Sequence, residues 1–232
     1  MGRSVAGLLA SDHDLTLTDL TPHAEGNPGV IACDLDDDEA TDHLVDGIDA
    51  IVHIGYGGHF AAATDLLDVH TRCTYNLLTA ARAAGVPRLI NLSTLRLLAG
   101  YPPHLTVTEN WRPIPEVEPL MLAAHLCEYV CREFGREGGI KIANLRLGFP
   151  LIEGGTEAAA ASGESAALAE DDLRAAINAA LVADLTNGAQ SANSPAPASF
   201  RTVHVQSPIP DARFLLNGAT SVLGLWEGRG AA

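Results

Sequence analysis

The sequence predicts an α/β fold: a doubly wound, Rossmann-like parallel sheet with a small C-terminal lobe. Three observations carry this. Short β-rich runs alternate with helical patterns through residues 1–150. Acids, glycines and hydroxyl residues fall at the ends of those runs, the edge where an open parallel sheet binds ligands. The chain of 232 residues is 47% hydrophobic, enough for a sizeable core.

Each element has its own signal. Val5, Leu8 and Leu9 give residues 4–9 one apolar helical face. Residues 15–19 alternate like a short strand, and residues 29–34 form a second β-rich run ending at Asp34. Residues 39–45 fit a helix. Residues 50–54 read as a buried strand closed by Gly55, Gly57 and Gly58. A long helix pattern over 68–84 stops at Gly85, with Pro87 beyond. Residues 89–92 are a strand followed by Ser93 and Thr94. Residues 119–134 form a helix and 141–147 a strand. After Pro150 the chain turns rich in Ala, Gly, Glu and Ser, so 151–232 reads as the small lobe packed on the same domain. Within it the pattern predicts a helix over 171–185, a surface loop over 186–199, a strand over 200–205 and a helix over 211–225.

Composition excludes several classes. Lys+Arg number 14 against 29 Asp+Glu, a net charge of −15, which argues against a nucleic-acid partner. No apolar run is long enough for a transmembrane helix. Four cysteines in a chain this long do not make a disulfide scaffold, so the reading is a reduced, cytoplasmic protein. The acid run from Asp34 to Glu39 starts like a calcium loop. However, Glu39 stands where that loop needs glycine and Val45 where it needs a bidentate Glu, so the run is read as a helix cap. No histidines or cysteines stand at metal-ligand spacing, and no metal is expected. Cys127 and Cys131 share a helix face as buried thiols. No Gly-x-Ser-x-Gly elbow is present.

In this order and spacing the chain resembles the extended short-chain dehydrogenase/reductases, the NAD-dependent epimerase/dehydratase family. Asp19-Leu20 falls where the family's acid binds the adenosine ribose, which implies NAD over NADP. Asp34-Leu35 matches the pair that contacts adenine. His53-Ile54-Gly55-Tyr56 stands at the turn beside the cofactor, and Asn76-Leu77-Leu78 matches the family's following helix. Leu92-Ser93-Thr94 matches the strand that ends in the catalytic hydroxyl. Gly100-Tyr101-Pro102 and Leu145-Arg146-Leu147-Gly148 lean toward the sugar-acid dehydrogenase branch. The resemblance places Tyr101, Gly148 and Phe149 at the substrate. It also implies a homodimer through the helices at 68–84 and 119–134.

Two departures matter more than these matches. The family's first strand and Gly-x-x-Gly-x-x-Gly turn cradle the cofactor pyrophosphate, and here Gly2 corresponds to the last of those glycines. Either an upstream start supplies the rest, or the fold does without its central strand, in which case the sheet re-pairs or stays open. Weak dinucleotide binding is the expectation. Second, the family's chemistry needs Tyr-x-x-x-Lys, the phenol moving a proton and the ammonium lowering its pKa. Aligning Glu128 with the acid that commonly follows the Lys puts Leu120 at the Tyr and Ala124 at the Lys. The chain's one lysine, Lys141, has Glu137 four residues before it, so no other register restores the motif.

Three readings follow. The chain is a degenerate family member with a remnant NAD pocket. Or it is an active sugar or sugar-acid oxidoreductase with a displaced proton carrier, for which Tyr101, His104 and His125 are the candidates. Or it is a non-redox isomerase or cyclase using the old cleft.

Overall fold

The computed structural model describes residues 1–20, 29–55, 62–186, 199–210 and 212–227. Helix α1 (Gly2–Leu9) buries Val5 and Leu9, the face its apolar spacing predicts. Strands β1 (Leu17–Asp19) and β2 (Val30–Ala32) pair in parallel as a sheet of their own. Asp37 caps α2 (Asp38–Val45) by accepting from the Ala40 amide at 3.1 Å, so the acid run does act as a helix cap. The second sheet is four-stranded and parallel, in the order β3 (Ile51–Ile54), β4 (Arg88–Thr94), β5 (Lys141–Leu147), β8 (Phe200–Val205). Among the described residues no ladder joins β1 to β3, so re-pairing of these two strands is not seen.

Helices cover both faces of this sheet. On one lie α4 (Thr74–Ala83) and α5 (Pro119–Glu137), on the other α1 and α7 (Glu170–Val182). The helix predicted at 68–84 begins earlier, as α3 (Ala63–Asp68), and passes through a π-helical turn (Val69–Cys73) into α4. The strand period sets which residues meet which layer. Ile90 and Leu92 of β4, Leu145 and Leu147 of β5, and Val203 and Val205 of β8 join Leu173, Ile177 and Val5. Leu89, Ile142 and Phe200 join Leu78, Cys127 and Phe134 on the opposite face.

Residues 151–232 divide between two roles. Strand β8 and helix α7 belong to the main sheet and its covering layer. Strands β6 (Leu151–Ile152) and β7 (Leu168–Ala169), with α6 (Thr156–Ala161) between them, form a separate small parallel pair. None of these three was predicted, since elements this short carry too little periodicity to read. The helix expected over 211–225 is a correction. Only α8 (Asn217–Ser221) is helical there, and Asp211 lies outside the described residues. Tertiary pairing overrides the pattern: Val107 donates to the Arg213 carbonyl and Leu215 donates back to Val107, both at 2.9 Å, while Phe214 is buried against Leu95 and Leu98. Residues 187–198 of the predicted surface loop also lie outside the described residues.

Candidate functional site

The C-terminal ends of β4 and β5, the first turn of α5 and the β6–β7 pair enclose a cleft of about 340 Å3. Its polar side chains are Thr94 and Arg96, and Leu120 faces it from α5. Leu147, Gly148, Phe149, Leu151 and Leu168 supply the rest of the lining, with Met1 at the start of α1. Thr94 is buried and caps the 3-10 turn Leu95–Leu98, its Oγ1 accepting from the Arg96 amide at 3.2 Å. Gly148 is required by its surroundings. A Cβ there would lie 2.3 Å from the Ala166 carbonyl oxygen and 2.9 Å from the Gln206 Cβ.

Leu120, the position the alignment on Glu128 assigns to a phenol, thus lines the same cleft as Thr94. Ala124, one turn further on, is fully buried against Leu97 and Met121 and does not line the cleft. Ser93 faces the other way. Its hydroxyl donates to Glu128 Oε1 at 2.6 Å, so of the two hydroxyls expected to act, the cleft receives Thr94.

Beneath α5 the sheet carries polar rows. Asn91 Nδ2 donates to Asn144 Oδ1 at 2.7 Å, and Asn144 Nδ2 to Thr202 at 3.3 Å. Two residues further along, Ser93, Arg146 and His204 stand in register on adjacent strands. Arg146 binds both oxygens of Glu128, at 2.9 and 2.8 Å, and both side chains are almost fully buried. Burial pushes the Glu128 carboxyl up. The Arg146 charge and the hydrogen bonds from Arg146, Ser93 and Asn144 pull it further down, leaving it below its ordinary value. Burial, and then the Arg146 charge, push His204 down to about 3. The Glu128–Arg146 pair was absent from the expected site. Its signal was the alternation Ile142-Asn144-Arg146 along β5, which puts polar groups at every second position of a buried strand.

Other expected site residues are dispersed. Tyr101 donates to the Arg112 carbonyl at 2.8 Å and packs edge-on against Trp111, so its hydroxyl is engaged away from the cleft lining. Phe149 lines the cleft with its ring largely exposed. His125 is half-buried, and burial pushes it down. At the other end of the sheet edge, Asp19 and Leu20 are exposed at the end of β1. Asp34 follows β2 and accepts from the Asp36 amide at 3.0 Å. Leu35 is tied to α4 by its carbonyl, which accepts from Asn76 Nδ2 at 2.9 Å. Ile54 ends β3. Gly55 follows it, pressed so close to the Asn91 carboxamide that a Cβ would lie 2.1 Å from Oδ1. Leu92 is buried in the α1/α7 layer, away from solvent. Gly2 opens α1, whose first turn has no side-chain cap. Tyr56 lies outside the described residues. No group of three or more His, Cys, Asp or Glu able to hold a metal ion occurs among the described residues. No described helix is long and apolar enough to cross a membrane.

Comparison with known proteins converges on one family. Uronate dehydrogenase of Pseudomonas putida is 34% identical over 90 residues, 38% of this chain and 34% of that protein. An L-arabinose 1-dehydrogenase (NAD(P)(+)) of Haloferax volcanii is 34% identical over 95 residues, 40% of this chain and 37% of that protein. The matched segments span about a third of the length of these curated relatives. The glucuronic acid dehydrogenase structure from Chromohalobacter salexigens superposes with a TM-score of 0.72 at 22% identity, covering 96% of this chain and 78% of that one. A variant of the Agrobacterium tumefaciens uronate dehydrogenase, solved complexed with NAD, gives 0.68 at 22% identity over 92% and 75%. The sequence model of the NAD dependent epimerase/dehydratase family matches residues 2–154. With more than half of its length matched, and with the parallel sheets and helix layers described above, the chain belongs to the NAD dependent epimerase/dehydratase family.

Proposed function

We propose that this chain is a catalytically degenerate member of its family, related to the sugar-acid dehydrogenases, that keeps a weak remnant of the NAD site and little or no hydride transfer. What supports this is hydrocarbon at the positions the alignment gives to proton handling: Leu120 in the cleft with Thr94, and Ala124 sealed against Leu97 and Met121. Among the described residues no tyrosine or lysine side chain lines the cleft with Thr94 to carry the proton onward, and an aliphatic hydroxyl alone is a poor acid.

The adenosine end fits NAD better than the nicotinamide end. The Asp19 carboxylate is exposed at the end of β1, free to accept from ribose hydroxyls. Asp34 and Leu35 follow the neighbouring strand. The uncapped first turn of α1, beginning at Gly2, leaves backbone N–H groups for a pyrophosphate near the cleft that Met1 lines. No lysine stands on α5 to grip the second ribose. NAD, when bound, supplies the hydride acceptor, while Asp19 and the α1 amides would hold it. Tyr75 and Tyr129 are exposed on α4 and α5, which supports a homodimer through these helices. Sedimentation equilibrium giving a monomer would reject that part.

Titration calorimetry with NAD, and absorbance at 340 nm with a panel of uronates and aldoses, test the reading. The expected outcome is a dissociation constant weaker than micromolar. Turnover should fall on the order of 10²–10⁴ below a relative with the intact motif. Sub-micromolar NAD affinity, or turnover matching such a relative, overturns it.

A further inference from the structure

We infer that the cleft takes a carboxylic acid with an apolar body, its carboxylate held by Arg96 and the Thr94 hydroxyl, in preference to a sugar acid. This rests on the proposed reading only in taking the sheet-edge cleft as a small-molecule site.

The argument is a count of what the cleft offers. A sugar acid carries a hydroxyl on nearly every carbon, and each one taken out of water needs a partner or costs free energy. Four of the lining residues have their backbone donors already committed. Gly148 donates to the Val205 carbonyl and Phe149 to the Ala166 carbonyl, both at 2.7 Å. Leu168 donates to the Pro150 carbonyl at 3.0 Å, and Leu120 to Glu118 Oε1 at 3.1 Å. Beyond these the described lining offers hydrocarbon from Leu120, Leu151 and the exposed Phe149 ring, two polar side chains, and Met1 at the start of α1. Such a surface suits a chain or ring of carbon better than a polyol.

The polar pair then selects the head group. The Arg96 guanidinium is exposed, and among the described residues it has no ion-pair or hydrogen-bond partner. Arg72, Arg82, Arg132, Arg136 and Arg146 all pair with carboxylates. An arginine left unpaired at the rim of an apolar cleft, in a chain with 29 acidic residues, presents a fork of donors matched to a carboxylate. Thr94 accepts from the Arg96 amide, which leaves its hydroxyl hydrogen available to the same carboxylate. The volume of about 340 Å3 is at the small end of the range for ligand sites and suits a single compact acid.

Calorimetry on the full chain with 4-phenylbutanoate, 4-phenylbutanamide and glucuronate tests this. The acid should bind at least about tenfold more tightly than either other probe, the loss expected for one charge-assisted hydrogen bond. Arg96→Gln should weaken the acid by about 10- to 100-fold and leave the amide unchanged. Leu120→Asn should weaken both. Glucuronate binding as tightly as phenylbutanoate, an Arg96→Gln variant that binds the acid normally, or no binding of any probe each overturns the inference. The wild-type panel decides between acid, amide and sugar acid without any variant. Turnover at 340 nm separates the two claims. Oxidation of glucuronate sinks both, whereas oxidation of an apolar hydroxy acid sinks degeneracy and leaves the ligand class standing.

Discussion

The two faces of the four-stranded sheet are held by different physics. Toward α1 and α7 the rows are hydrocarbon: Leu92, Leu145 and Val203 lie in register, as do Leu147 and Val205 beside Thr94. Toward α5 the rows grow more polar along the strands, from Leu89-Ile142-Phe200, through Asn91-Asn144-Thr202, to Ser93-Arg146-His204. Helix α5 answers that gradient unevenly. Its middle turns bring Cys127 and Glu128 onto the polar rows, while its first turns bring Leu120 and Ala124 to the cleft end. The difference separates polarity the fold requires from polarity only chemistry requires. Removing Glu128 would strand a buried guanidinium, so the fold itself enforces that residue. Leu120 and Ala124 instead pack with Leu97 and Met121, so at this end of α5 the fold is satisfied by hydrocarbon alone.

The largest expected effect breaks the polar face. Glu128→Gln should cost about 3–5 kcal/mol in urea unfolding, because Arg146 keeps its charge and loses its partner. Leu92→Ala on the hydrocarbon face should cost about 2–5 kcal/mol by leaving a cavity. The two are told apart by pH. The Leu92→Ala penalty should stay constant in acid, and the Glu128→Gln penalty should shrink as the wild-type carboxyl protonates. A Glu128→Gln loss under 1 kcal/mol would mean that the pair is dispensable.

A smaller effect sharpens the same contrast. The His204 pKa is lowered on folding, so the unfolded chain binds more protons between about pH 6.5 and 3. Stability is therefore full above pH 6.5 and falls with acid, by up to about 1.4 kcal/mol per pH unit within that window. The Glu128 pKa is also lowered on folding, so its contribution is present above the unfolded value near 4.3 and is lost as pH falls through the folded value. His204→Phe should flatten the slope between pH 6 and 4.5, leaving the part from His125, whose pKa burial also lowers, and should keep the loss below pH 4. An unchanged slope in that variant would assign the acid sensitivity elsewhere.

Much of this molecule was legible in the one-dimensional pattern. Strands at 141–147 and 200–205 coincide with β5 and β8, because a buried strand must keep its run of apolar residues at the strand period wherever it docks. The absence of a Tyr-x-x-x-Lys motif was equally legible, since the one lysine, Lys141, has Glu137 four residues before it. Tertiary structure decided the rest. It pulled Phe214 out of a helical pattern into the core, turned Ser93 to Glu128 and Thr94 to the cleft, and set Arg96 at the rim of an apolar pocket. Periodicity records only which face of its own element a residue occupies. Which groups then share a cleft, and which backbone donors are already spent there, depends on elements far apart in sequence meeting in space.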